Sequence, residues 1–232
     1  PVGVFFVESG VTVPDPYFDG EGPPRTGCTR CGACMVGCRE GAKNTLLKNY
    51  LYFAEKKSAT IHPDREVFDI RPMGAADGSE GYQVATRYPG AWFNRQQKTF
   101  SARGIIVSAG ALGTNRLLAR CKLGGSLPGI SDRLGELVRT NSESIVFVRS
   151  KDKNTDYTKG VAITSSVHPD ADTHIEPVRY GKGHDMMGGL CGVMTEDRKP
   201  FPRQLRAFVN VLLHPLAFLR ATVPTGFAQH TI

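Results

Sequence analysis

The sequence has no apolar run long enough to span a bilayer, and no secretion signal opens it. It has no block of like charge either: 29 Lys and Arg against 22 Asp and Glu give a net +7, spread along the chain. With no recognisable reader motif, that balance points to a solvated basic surface and not to nucleic acid. A bound diphosphate or an anionic membrane surface would suit it equally. Cysteine is scarce, and four of the six sit in one tight cluster. That distribution argues against a secreted disulfide framework and for reduced thiols, so a cytoplasmic location is expected. There is no internal repeat and no low-complexity tract. No G-x-S-x-G elbow frames Ser165, Ser166 and His168, so they form no nucleophilic triad. The composition that remains is 40% hydrophobic, enough for an ordinary core in one large domain or two interleaved ones.

Cys28, Cys31, Cys34 and Cys38 follow the spacing C-x2-C-x2-C-x3-C. Four thiolates so closely set are a ligand pattern for an iron–sulfur cluster. Tetrahedral zinc also accepts four thiolates, although closed zinc sites usually split them into two distant pairs. Plain thiols are the third reading. Cys121 and Cys191 stand alone and read as small buried apolar residues.

Residues 1–27 are rich in Gly and Pro and read as a surface excursion leading into the cysteines. Lys43 to Lys57 shows a helical period through Leu46, Leu47, Tyr50, Leu51 and Ala54, with Asn44 or Thr45 as the cap. Strand-like runs follow at Ala59–His62, Glu66–Arg71, Tyr82–Arg87 and Lys98–Ala102. Gly104–Ser108 is continuously apolar, as a strand buried on both faces of a parallel sheet would be. It runs into the small-residue turn Ala109–Thr114 and a helix carrying Leu117 and Leu118. This order fits half of a dinucleotide-binding fold, with the turn letting a ligand approach backbone; a generic α/β domain fits it too. From Ser142 onward, Ile145–Val148, Val161–Ser166 and Thr173–Pro177 suggest a second, β-rich domain. Gln204–Arg220 is amphipathic and broken at Pro215. The stretch Phe201–Phe218 carries Phe208, Leu212, Leu213 and Phe218 beside Arg203, Arg206 and Arg220, which suits core packing or a dip into a membrane surface.

The run Cys34-Met35-Val36-Gly37-Cys38, with Asn44-Thr45-Leu46-Leu47-Lys48-Asn49-Tyr50-Leu51, resembles the glucose–methanol–choline (GMC) flavoprotein oxidoreductases, most of all their bacterial cholesterol oxidase-like branch. Ile105–Thr114 resembles the family's second flavin-side motif, and Arg139–Ser144 the segment that returns toward the flavin. Gly160–Ser166 with His174–Gly181 is similar to its substrate-domain sequence. The resemblance implies an α/β architecture: a cysteine-containing excursion over 1–42, part of an FAD-binding, Rossmann-like domain over 43–141, and part of a β-rich α+β substrate domain over 142–232. It implies FAD as cofactor, a sterol or other bulky alcohol as substrate, and oxygen or a redox partner as acceptor.

By the same resemblance, Val67 lays backbone against the adenine, Gly110 and Gly113 lie in the turn beside the cofactor, and Asn141 is a polar contact near the flavin. Glu176 falls where sterol-oxidising members carry an active-site glutamate, which would shift a proton to isomerise the Δ5 ketone. Its alternative is a surface or salt-bridged Glu, with Arg179 the obvious partner. Cys34 and Cys38 match positions that ligate a cluster in iron–sulfur members, which would make the enzyme a dehydrogenase of another alcohol or a sugar. A cluster-binding module without chemistry of its own is a further alternative. The family's G-x-G-x-x-G has no match here, nor do its C-terminal His and Asn. The chain therefore reads as an internal fragment, expected to be inactive alone.

Overall fold

The structure, a computed structural model, describes Val4, 8–93, 95–192, Thr195, 202–222 and 225–232, with backbone alone at 220–222. The elements in chain order are β1 (Thr12–Val13), β2 (Arg25–Thr26), α1 (Tyr50–Lys56), β3 (Glu66–Pro72), β4 (Tyr82–Arg87), β5 (Lys98–Ala102), α2 (Gly110–Leu123), α3 (Arg203–Leu213), α4 (Pro215–Thr222) and α5 (Phe227–His230). Short 3-10 turns cover Ala33–Met35, Leu46–Lys48 and Asp185–Leu190. The chain divides into one unit of Thr60–Ser144 and another built from Pro1–Ala59 with Ile145–Ile232.

In the Thr60–Ser144 unit, β3, β4 and β5 form an antiparallel sheet in sequence order, with Glu66 opposite Arg87 and Tyr82 opposite Ala102. Between Val67 and Asp69 the register slips by one residue, a bulge that bends β3 beside Val67. Ile70, Thr86 and Cys121 are buried, so Cys121 is the apolar filler its isolation suggested. Helix α2 draws on strong helix formers and carries Arg120 and Lys122 in its last turn, where cations oppose the helix dipole. Ser126, just beyond it, donates to the Asp69 carboxylate and ties the helix end to β3.

The three meander strands fall where sequence periodicity predicts. The expected strand at Ala59–His62 is irregular and exposed instead. Gly104–Ser108 forms no strand either. A parallel strand draws its hydrogen bonds from neighbours on both sides, and the described residues bring none to it, leaving Ile106 93% exposed.

In the other unit, β1 and β2 pair antiparallel, Thr12 opposite Thr26. The expected helix from Lys43 begins only at Tyr50, because Asn49 breaks the helical backbone and its side chain accepts from the Tyr50 amide. Asn44 is not the cap; its carbonyl holds Arg25. The second domain was expected to be β-rich, yet the described residues of 145–232 form no strand, only bridges at Cys31–Gly160, Arg149–Thr231 and Val167–Ile175. Helices α3 and α4 meet at Pro215, as the sequence indicates. Phe201 and the side chain of Arg220 lie outside the described residues. Among the described residues, no helix is long and apolar enough to cross a membrane.

Candidate functional sites

A cleft of about 620 Å³ opens in the Thr60–Ser144 unit, within the range of small-molecule sites. Val67 and Ile70 of β3, Val84 of β4, Ile105 and Val107, and Leu117 of α2 give it apolar walls. Arg65, Arg116 and Arg120 line it with cationic groups, Arg116 and Arg120 being one helical turn apart. Glu66 also lines it. The Arg87 guanidinium binds the Glu66 carboxylate at 2.7 Å and holds its carboxyl below the usual range, with Arg120 and Arg95 adding to the effect.

The turn into α2 reaches the cleft through Ser108, Ala109 and Gly113. Its entry is shaped by Gly110 at φ +73°, a left-handed conformation that costs other residues energy. The Thr114 hydroxyl accepts from the Ala109 amide at 3.0 Å and steadies this entry. A side chain on Gly113 would start 3.1 Å from the Ala109 Cβ and crowd the wall. Of the residues expected at a cofactor, Val67 and Gly113 line this cleft. Gly110 borders it along the chain. Asn141 is exposed, with its amide on the Glu143 carboxylate at 3.0 Å, and is not among the lining residues. The arginines went unnoticed in the sequence; the spacing of Arg116 and Arg120, on the helix after a small-residue turn, was the signal.

Glu176 belongs to the other unit and is half-buried. The preceding residue, Ile175, exchanges hydrogen bonds with Val167 at 2.9 and 2.8 Å. Three residues on, the Arg179 amide donates to the Ala162 carbonyl at 3.0 Å and its guanidinium to the Lys159 carbonyl at 2.8 Å.

The cysteine loop does not gather its thiols. Cys34 is buried against Val161 and Ala162, with Cys28 packed on the same cluster. The Cys28 sulfur accepts from the Arg30 amide at 3.3 Å, whereas Cys31 is exposed. Among the described residues, no group of three or more His, Cys, Asp or Glu side chains is placed to hold a metal. This arrangement fits neither a four-thiolate cluster nor tetrahedral zinc, which both need four convergent sulfurs. Cys191 is half-buried, and burial pushes its thiol up, as befits an unreactive residue.

The cleft between a twisted meander and a glycine-led helix sits within a longer matching stretch: residues 24–136 match the GMC oxidoreductase family. That stretch, just under half of the chain, is similar to the GMC oxidoreductases. Over 226 residues it is 50% identical to a cholesterol oxidase of Acinetobacter baumannii, covering 97% of this chain and 41% of that protein. Over 245 residues it is 47% identical to the cholesterol oxidases of two Mycobacterium tuberculosis strains, covering 100% of this chain and 41% of theirs. The chain thus spans about two-fifths of the length of these relatives. No solved structure matches it.

Proposed function

We propose that the intact protein is an FAD-dependent oxidase of the 3β-hydroxyl of a sterol, with oxygen as the electron acceptor. The observation that carries this reading is the 47–50% identity to cholesterol oxidases, which runs through both units and includes the segment around Glu176. The cleft suits part of the cofactor: its apolar walls fit a flat heteroaromatic ring, and its arginines fit phosphate. Bound there, FAD would take the hydride from the carbinol carbon. The residues of the chain would then act in turn. Val67 and Gly113 leave room for close backbone approach, Arg116 and Arg120 balance anionic charge, and Glu176 handles the proton. After oxidation, the Glu176 carboxylate would take the acidified proton from carbon 4 of the Δ5-3-ketone and return it to carbon 6, leaving the carboxylate regenerated and the alkene conjugated. On this reading the 232-residue chain alone does not turn over.

The exposed apolar residues of α3 and α4, Phe208, Leu212, Leu213 and Leu216 among them, support peripheral contact with a lipid surface from which sterol is drawn. The expected cytoplasmic location belongs to the same proposal. Routing electrons through an iron–sulfur cluster, as a dehydrogenase of another alcohol would, has no observation in its favour. The test is anaerobic mixing of the intact flavoprotein with cholesterol while following flavin absorbance. Rapid bleaching is expected; bound flavin that dithionite reduces but cholesterol does not would overturn the sterol reading.

A further inference from the structure

The cysteine loop and the run that carries Glu176 are pressed together, backbone against backbone. The Gly160 amide donates to the Arg30 carbonyl at 2.8 Å, and Cys31 pairs with Gly160 in a parallel bridge. Gly32, at φ +73°, has no room for a side chain, since a Cβ there would lie 2.6 Å from the Thr158 carbonyl oxygen. From the opposite side, a Cβ on Gly181 would lie 2.4 Å from the Cys31 carbonyl oxygen. Both obstacles are backbone atoms and cannot swing aside. Next to this contact Cys34, 7% exposed, packs on Val161 and the fully buried Ala162. The Ala162 carbonyl in turn accepts from the Arg179 amide, while Val167 holds Ile175. Glu176 is therefore suspended between two anchors, and one of them rests on the cysteine loop.

We propose that the cysteine loop is a dock that positions Glu176, with Gly32 and Gly181 permitting the close approach and Cys34 acting as an apolar wedge. The proposal rests on the reading of Glu176 as the proton carrier. Isomerisation asks one carboxylate to reach two carbons on one face of the steroid, so a small displacement weakens it sharply; misplacement by ~1 Å can cost about a hundredfold. Hydride removal does not use that carboxylate. Disturbing the dock therefore separates the two reactions, which general loosening of the fold would not do.

The test uses the FAD-loaded intact protein and two readouts: anaerobic flavin reduction by cholesterol, and conversion of 5-cholesten-3-one to the conjugated 4-en-3-one. Gly181→Ala is expected to slow isomerisation by about tenfold or more while flavin reduction changes by less than about threefold. Cys34→Ser, which buries a hydroxyl in the apolar cluster, should act in the same direction, and Cys34→Val should restore isomerisation. If Gly181→Ala fails to fold, the Cys34 pair decides. Equal losses of both reactions would mark a merely structural contact and overturn the proposal. Failure of Cys34→Val to recover what Cys34→Ser loses would overturn the wedge. Glu176→Gln separates the two levels: lost isomerisation there with normal isomerisation in Gly181→Ala and Cys34→Ser sinks the dock alone. Retained isomerisation in Glu176→Gln sinks the reading beneath it.

Discussion

Arg25 is 1% exposed, an uncommon position for a permanent charge, and its removal can be reckoned bond by bond. Its Nη1 donates to the Asn44 side-chain carbonyl at 2.9 Å and its Nη2 to the Lys48 carbonyl, while its guanidinium carbon lies 5.5 Å from the centre of the Tyr17 ring. Its Nε is buried without a hydrogen-bond partner among the described residues. The side chain thereby ties the Gly- and Pro-rich excursion to the turn ahead of α1. In Arg25→Ala, the Asn44 carbonyl keeps a weak donor in the Asn49 amide at 3.3 Å, whereas Lys48 loses its side-chain donor. A hydrogen bond to a charged group contributes about 1.5–3 kcal/mol, and the buried alkyl stem adds packing. The sum, about 3–5 kcal/mol, matches the cost of breaking a buried charged contact. At roughly 2–4 °C per kcal/mol, Tm should fall by about 6–20 °C. Arg25→Lys keeps the charge but not the fork that reaches both acceptors, so it should recover less than half of the loss. Thermal unfolding followed by circular dichroism on the intact protein reads both variants. A Tm for Arg25→Ala within about 2 °C of the parent would refute the claim that Arg25 is an internal tie.

Acid sensitivity should trace partly to Asp15. Burial alone would raise its carboxyl, but the amides of Tyr17, Phe18 and Gly22, with Arg25, outweigh burial and hold it below the usual range. A depressed folded-state value gives stability that is complete above an ordinary Asp pKa of about 4 and is lost as pH falls below it, so Asp15→Asn should flatten that limb of a stability–pH curve. At the cleft, Gly113→Leu, or Arg116→Glu with Arg120→Glu, should lower the FAD-to-protein ratio after gel filtration. Gly110→Ala should only reduce stability by about 1 kcal/mol or more, because a Cβ there meets nothing within 4 Å. Phe208→Ser with Leu212→Ser should weaken cosedimentation with cholesterol-containing vesicles and leave flavin reduction by detergent-solubilised cholesterol unchanged. Amides at 105–107 should exchange slowly in the intact protein if that run is a sheet strand there; fast exchange would refute the strand.

What could be read from residues alone follows from how local each signal is. The strands Glu66–Pro72, Tyr82–Arg87 and Lys98–Ala102 find partners a few residues away across Gly- and Pro-marked turns, so their pattern and their structure agree. Helix α2 likewise begins where a glycine permits the turn. Gly104–Ser108 carries an equally clear pattern, but a parallel strand is completed by distant neighbours, and apolar character alone cannot form its ladder. Residues 145–232 misled for the opposite reason: Val161 and Ala162 are apolar because they meet Cys34, not because they pair along a sheet.

The candidate sites divide in the same way. Val67 and Gly113 come together because a bulge and a helix entry, both locally encoded, face one cleft. Spacing of the four cysteines is a statement about chain separation, and it predicts shared ligation only if the loop curls inward around a centre. Here Gly32 turns the backbone outward, onto Thr158 and Gly181, and Cys34 and Cys28 follow into an apolar contact while Cys31 stays in solvent. Close approach between two backbones leaves no trace in composition beyond a glycine on each side. Gly32 and Gly181 are 149 positions apart in the sequence, so their pairing becomes visible only once the fold brings them within reach.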